Sequence, residues 1–229
     1  TGLGEETKLY KKEAPDASSG YWTEYADGCV YFGTYPSGCI MKYEIATDTF
    51  TNLGSYSNDI SYANGVLYKD GYIYSGMNGD KNGDGKKTWV AVKMDAKTGE
   101  VVGYTDLYDM VDPDRTSIYG AGFAGDLLLI GGESTQNKFI AIDINTMELV
   151  DLGVNGGISY SVTEEIDGKV YFVLNGMGLH SMDVATREVK AVPGFKDANI
   201  PVRCSKYSFV DVDDPLYPGP SIVTYSTGQ

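Results

Sequence analysis

The run Asp80-Lys81-Asn82-Gly83-Asp84-Gly85 comes nearest in composition and spacing to metal chemistry. A hard divalent cation is held by several oxygens. Alternating Asp80, Asn82 and Asp84 aim three oxygen-bearing side chains inward, with Gly85 at the sharp turn. Calcium is the ion such a half-loop would take. The pattern then departs, because Thr88 and Ala91 stand at the ninth and twelfth positions, where a complete loop carries an oxygen ligand and a bidentate Glu. The competing reading is a polar, Gly-rich hairpin tip.

Other catalytic chemistry finds little purchase. His180 is the sole histidine, so neither a zinc cluster nor a nucleophile with its base can be assembled around it. It reads as structural. No serine sits in a Gly-x-Ser-x-Gly elbow. Carboxylate pairs for glycoside hydrolysis can be drawn from Asp112, Asp114, Glu133, Glu164 and Glu165, but such a pair is defined by separation, which a sequence does not give.

Aromatic residues offer the better lead. Tyr21, Trp22, Tyr62, Tyr119 and Tyr160 recur near the start of one class of strand. Loops entering these strands carry Asn58, Asp59, Asp112, Asp114, Arg115, Asn155 and Asn199. Loops expected on the same face add Tyr35, Asn78, Glu133 and Asn175. Flat rings beside amides and carboxylates supply apolar area and fixed hydrogen-bond partners, which a polar ligand needs. The expected ligand-binding set is Tyr62, Tyr119, Tyr160, Trp22, Arg115 and Glu133. Packing between sheets would also place aromatics there.

The elements that must carry these residues repeat. Asp27-Gly28, Asp70-Gly71, Gly125-Asp126 and Asp167-Gly168 each precede an apolar strand, and Asp-Gly between such runs is a strong hairpin signal. The following strand ends in an acidic residue with Thr three positions later: Glu44/Thr47, Asp95/Thr98, Asp143/Thr146 and Asp183/Thr186. A carboxylate and a hydroxyl so spaced can bond backbone N–H groups and shape a tight turn. A fourth strand follows each time, at 50–53, 101–102, 149–152 and 189–192. Four antiparallel strands at a period of roughly 40–50 residues predict an all-β protein of propeller type.

Residues 125–153, with Leu127-Leu128-Leu129-Ile130-Gly131-Gly132 and Ile142-Asp143, resemble a kelch repeat. Residues 72–103, with Val92-Lys93-Met94-Asp95-Ala96-Lys97-Thr98-Gly99-Glu100, resemble the bacterial quinoprotein-type repeat. Gly33-Thr34-Tyr35-Pro36 followed by Lys42-Tyr43-Glu44 resembles blades of secreted bacterial surface proteins. These resemblances imply a secreted or cell-surface propeller. The tryptophan-docking ring pattern of a true quinoprotein is missing, so no quinone or other organic cofactor is implied.

One domain is expected over 1–229, with repeats at roughly 21–56, 57–109, 116–154, 157–195 and 200–229. Strands within 202–210 and 221–225 would open a fifth blade that residues 7–14, with the strand 7–12, would close. A fragment of a larger propeller is the alternative. A net charge of -14 argues against nucleic acid or anionic membrane as partner. No apolar run is long enough to insert in a bilayer. The predicted function is non-catalytic binding of a glycan or protein ligand through one propeller face, and the alternative is a carbohydrate-active enzyme with carboxylates at the channel mouth. Of three cysteines, Cys29 and Cys39 are expected as free thiols, because Cys39 should face Thr34 across a turn, roughly 16 Å from Cys29.

Overall fold

The computed structural model describes residues 19–81, 87–112, 118, 120–132, 138–193, 208–209 and 224–225. Strands β1 (Ser19–Ala26), β2 (Cys29–Tyr35), β3 (Ile40–Glu44) and β4 (Thr49–Gly54) pair in sequence order as one antiparallel sheet. Strands β5 (Ile60–Lys69), β6 (Tyr72–Lys81), β7 (Lys87–Asp95) and β8 (Val101–Asp106) repeat the arrangement. A third unit contains β9 (Gly120–Ala124), β10 (Leu127–Gly131) and β11 (Ile140–Asp143), and a fourth contains β12 (Ile158–Val162), β13 (Lys169–Leu174), β14 (Gly178–Asp183) and β15 (Val189–Ala191). A single parallel pair, Gly131 with Ile158, joins these two units, and the Gly132 N–H donates to the Ile158 carbonyl at 2.9 Å. Two short strands, β16 (Ser208–Phe209) and β17 (Thr224–Tyr225), pair antiparallel. The expected closing strand at 7–12 lies outside the described residues.

Turn chemistry explains the repetition. Asp27, Asp70 and Asp167 take φ of 49°, 52° and 49°, and the following glycines take 73°, 84° and 75°. Both central residues are thus left-handed, as the tightest hairpin turn demands. In the inverted pair Gly125-Asp126, the positive φ of 58° falls on the glycine. At the next reversal Asp95 Oδ1 accepts from the Lys97 and Thr98 N–H groups at 2.9 and 2.8 Å, and Asp183 Oδ1 accepts from the Thr186 N–H at 2.8 Å. These backbone donors hold both exposed carboxyls below the usual carboxylate range. The two reversals are then tied together. The N–H groups of Ile45, Ala96, Ile144 and Val184 donate to the carbonyls of Gly28, Gly71, Asp126 and Gly168, at 2.9–3.1 Å.

The third unit departs from expectation at its outer strand. Residues 149–152 contribute only a bridge between Leu149 and Ile142 and a bond from the Val150 N–H to the Ala141 carbonyl. Asp151 Oδ1 captures the Gly153 N–H at 2.8 Å, so a local side-chain bond turns the chain where the ladder would continue. The inner strand of this unit is described over Gly120–Ala124.

Packing between units makes three apolar layers. Ile40, Val66, Ile73, Met77, Val90 and Val92 lie between the first and second units. Trp89, Leu107, Ile118, Leu128, Ile130 and Ile140 lie between the second and third. Leu127, Leu129, Ala141, Ile158, Phe172 and Met182 lie between the third and fourth. Strand β10 therefore buries both faces, which is why it reads as an unbroken apolar run. Each such aliphatic side chain contributes about 1.5–3 kcal/mol on burial. A polar seam joins the second unit to the third: Lys69 Nζ donates to the Gly125 carbonyl at 2.6 Å, Lys93 Nζ to that of Ile144 at 2.9 Å, and Thr105 Oγ1 to that of Met147 at 2.6 Å. Cys29 and Cys39 are free thiols, and Cys39 does face Thr34.

Candidate functional site

Two ends of the molecule differ in kind. The Asp-Gly turns and acid-Thr reversals crowd one end. The second-to-third-strand loops and the linkers between units open at the other, and the candidate residues gather there.

At this loop end β2 finishes on Tyr35 and β5 begins with Ile60-Ser61-Tyr62. The Tyr35 and Tyr62 rings stack at 4.2 Å with planes 26° apart, and both are half-buried. The turn after Tyr35 positions them. The Cys39 N–H donates to Thr34 Oγ1 at 2.9 Å, and the Thr34 N–H returns a bond to the Cys39 carbonyl at 3.0 Å. Gly38, at φ 60°, lies directly on Ile60, where any side chain would strike the Ile60 Cγ2 at 2.5 Å. The turn of the first unit is thereby pressed onto the entrance of the second.

The linker that leads into β5 ends on Asp59. Ser57 Oγ donates to its Oδ1 at 2.6 Å, and the Thr88 hydroxyl donates to its Oδ2. Burial works to raise the Asp59 carboxyl, but the two hydroxyl bonds outweigh it and hold the group below its usual range. Asp59 is thus a fixed anion at neutral pH. Further out, Tyr56 in the same linker meets Tyr104 of β8, with ring centroids 5.2 Å apart. Burial, and next the neighbouring Tyr104, push the Tyr56 phenol up. The fourth unit offers a smaller counterpart, in which Ser159 Oγ donates to Asn175 Oδ1 at 2.6 Å.

Of the expected ligand-binding residues, Tyr62 occupies the loop end as anticipated. Trp22 sits at a bulge in β1 with φ 55° and packs against the layer between the first two units. Tyr160 is described by its backbone alone, in β12. Tyr119, Arg115 and Glu133 lie outside the described residues, as do Asn82 and Asp84, and Asp80 is described by its backbone in β6. Among the described residues no three His, Cys, Asp or Glu side chains converge on a common point. Glu164 and Glu165 lie in the reversal between β12 and β13, at the turn end, and so share no face with Asp112. His180 donates from Nδ1 to the Gly178 carbonyl at 2.9 Å. Tyr56, Ser57 and Tyr104 escaped the sequence reading, which placed Thr88 only as the ninth position of the calcium half-loop. The only available signal was the outward alternation of Val102 and Tyr104 in β8.

No family model matches the chain, and no curated protein matches it by sequence. Among solved structures, the β-propeller domain of Cps50 (Swd1) from Myceliophteria thermophila superposes with a TM-score of 0.51 at 12% identity, over 78% of this chain and 58% of that one. The fold is a β-propeller. Weaker likenesses are to BamB from Moraxella catarrhalis (TM-score 0.45, 14% identity, 74% of this chain and 51% of that one) and to the computationally designed Ika4 protein (0.48, 16%, 76% and 92%). The four described units are blades of it, and the Tyr35–Tyr62 stack bridges the first two at the loop end.

Proposed function

We propose that this β-propeller is a non-catalytic binding module, secreted or displayed at a cell surface, that takes a glycan or protein ligand on its loop end. The observation that carries the reading is the Tyr35–Tyr62 stack at the loop end, with the ionised Asp59 in the linker that leads into Tyr62's strand. Stacked phenols give a rigid platform of low conformational entropy, and a carboxylate anchored by two hydroxyls orients a ligand without reorganising. Tyr119 and Tyr160 hold matching sequence positions in the next two blades and would extend the platform around the mouth. The kelch-like and quinoprotein-like repeats support the extracellular setting, and a fifth blade built from 200–229 and 7–14 would complete the ring.

A screen of immobilised glycans and peptides, followed by titration of the hits, tests this reading. The triple replacement Tyr62→Ala, Tyr119→Ala, Tyr160→Ala is expected to weaken binding by at least roughly thirtyfold, since buried aromatic anchors carry about 2 kcal/mol or more. Circular dichroism should remain that of an all-β protein. Unchanged affinity in a folded triple variant would overturn the proposal.

A further inference from the structure

Strand β8 places Tyr104 opposite Val92 and Asp106 opposite Val90 in the ladder. Directly opposed residues share a sheet face. Val90 and Val92 belong to the layer against the first blade, so Tyr104 and Asp106 point toward that blade as well. At the outer strand, however, the first blade no longer covers them. Tyr104 is 55% exposed. The linker 55–59 crosses this opening and contributes Tyr56, whose ring tilts 53° against that of Tyr104, together with Asp59. Asp106 lies two residues beyond Tyr104 on the same face of β8, Asp59 three residues beyond Tyr56 in the linker, and both carboxylates act electrostatically on the Tyr56 phenol. Among the described residues neither carboxylate has an ion-pair partner. Asp59 is bonded to hydroxyls, and Asp106 accepts from the Tyr108 N–H at 2.8 Å.

We infer that this cleft, at the rim between the first and second blades, binds an extended basic peptide, with a Lys or Arg side chain laid across Tyr104 and Tyr56 and its charge between Asp59 and Asp106. The inference rests on the binding-module reading and shares Asp59 with it, but its aromatic pair, Tyr56 and Tyr104, is distinct from the Tyr35–Tyr62 platform. Charge complementarity decides the class of occupant. A cation gains from the aromatic faces and from both carboxylates, more so near a surface that carries a net -14. A neutral sugar would have to desolvate two unneutralised anions for hydrogen bonds alone.

The test is titration of the whole chain with a synthetic peptide alternating Arg and Ser, with a Glu-Ser peptide as control. The Arg-Ser peptide should bind and weaken with added salt, and the control should not bind. Tyr104→Ala leaves the net charge unchanged, so a roughly tenfold loss of affinity identifies the aromatic platform and not bulk attraction. Asp106→Asn should give a comparable loss. Equal affinity in wild type and Tyr104→Ala, or no binding at all, overturns the inference. Loss on Tyr62→Ala with Tyr104→Ala unaffected would move the peptide to the channel mouth, overturning the rim site while upholding the binding-module reading.

Discussion

Single residues fix how closely the blades approach. Gly33 faces the Ala63 backbone so tightly that a Cβ would fall inside the Ala63 carbonyl, and that neighbour is main chain, which cannot swing away. Gly122 and Gly76 press instead on side chains, those of Val162 and Ile118, where an added Cβ would lie 2.5 and 2.6 Å from the nearest atom. Gly28 is a glycine for a different reason: its φ is 73°, and a Cβ added there would meet nothing within 4 Å. The two kinds should separate on heating. Gly33→Ala is expected to cost about 3 kcal/mol through displacement of the seam, lowering Tm by roughly 6–12 °C. Gly28→Ala should cost about 1 kcal/mol, the penalty of a left-handed conformation alone. Equal Tm values for the two variants would contradict this division.

Elements were legible in the sequence wherever local chemistry decides them. Asp-Gly specified the first turn of three blades, and the acid-Thr pair specified the later reversal, because the atoms that shape each turn lie within a few residues of one another. Strand β10 was equally plain, since Leu127-Leu128-Leu129-Ile130 has no polar face to leave in water. What escaped were pairings made by tertiary approach. Tyr56 and Tyr104 are separated by most of a blade, and nothing in the spacing of either announces the other. Residues 149–152 misled for a further reason: their composition suits a strand, but Asp151 accepts from the Gly153 N–H. At the hairpin joining β6 and β7, the proposed calcium loop of Asp80, Asn82 and Asp84 predicts a ligand-dependent stability. Millimolar calcium should raise Tm by several degrees and chelator should reverse the gain, because binding to the folded state alone adds about 2.7 kcal/mol at a hundredfold excess over Kd. Asp84→Ala should erase the response. An identical Tm with calcium and with chelator would leave the segment a polar turn.

At the scale of the molecule, the apolar layers make each blade depend on its neighbours, and the first blade presents a second aromatic face. Phe32 and Phe50 lie 6.3 Å apart, and Tyr43 and Phe50 lie 4.7 Å apart, on the side turned away from the second blade. A face of that composition calls for cover, which the proposed fifth blade would provide. Removing residues 1–12 is therefore expected to lower Tm by several degrees and to increase binding of a hydrophobic dye, as one strand of the closing blade is lost. A truncated chain that melts like the full one and binds no more dye would argue for closure by other means.

The parallel pair between Gly131 and Ile158 has a mechanical consequence. The first and second blades are joined to their neighbours by side chains, which separate by peeling. The third and fourth also share backbone hydrogen bonds, so parting them means breaking main-chain bonds along with the apolar layer. Under tension the chain should not extend in equal lengths, blade after blade. The last two described blades would resist as a single hinge-free plate, giving the described blades one stiff arc and one compliant one. The compliant arc is the one that holds the Tyr35–Tyr62 stack and the rim cleft, so a ligand spanning the first two blades would act as a brace.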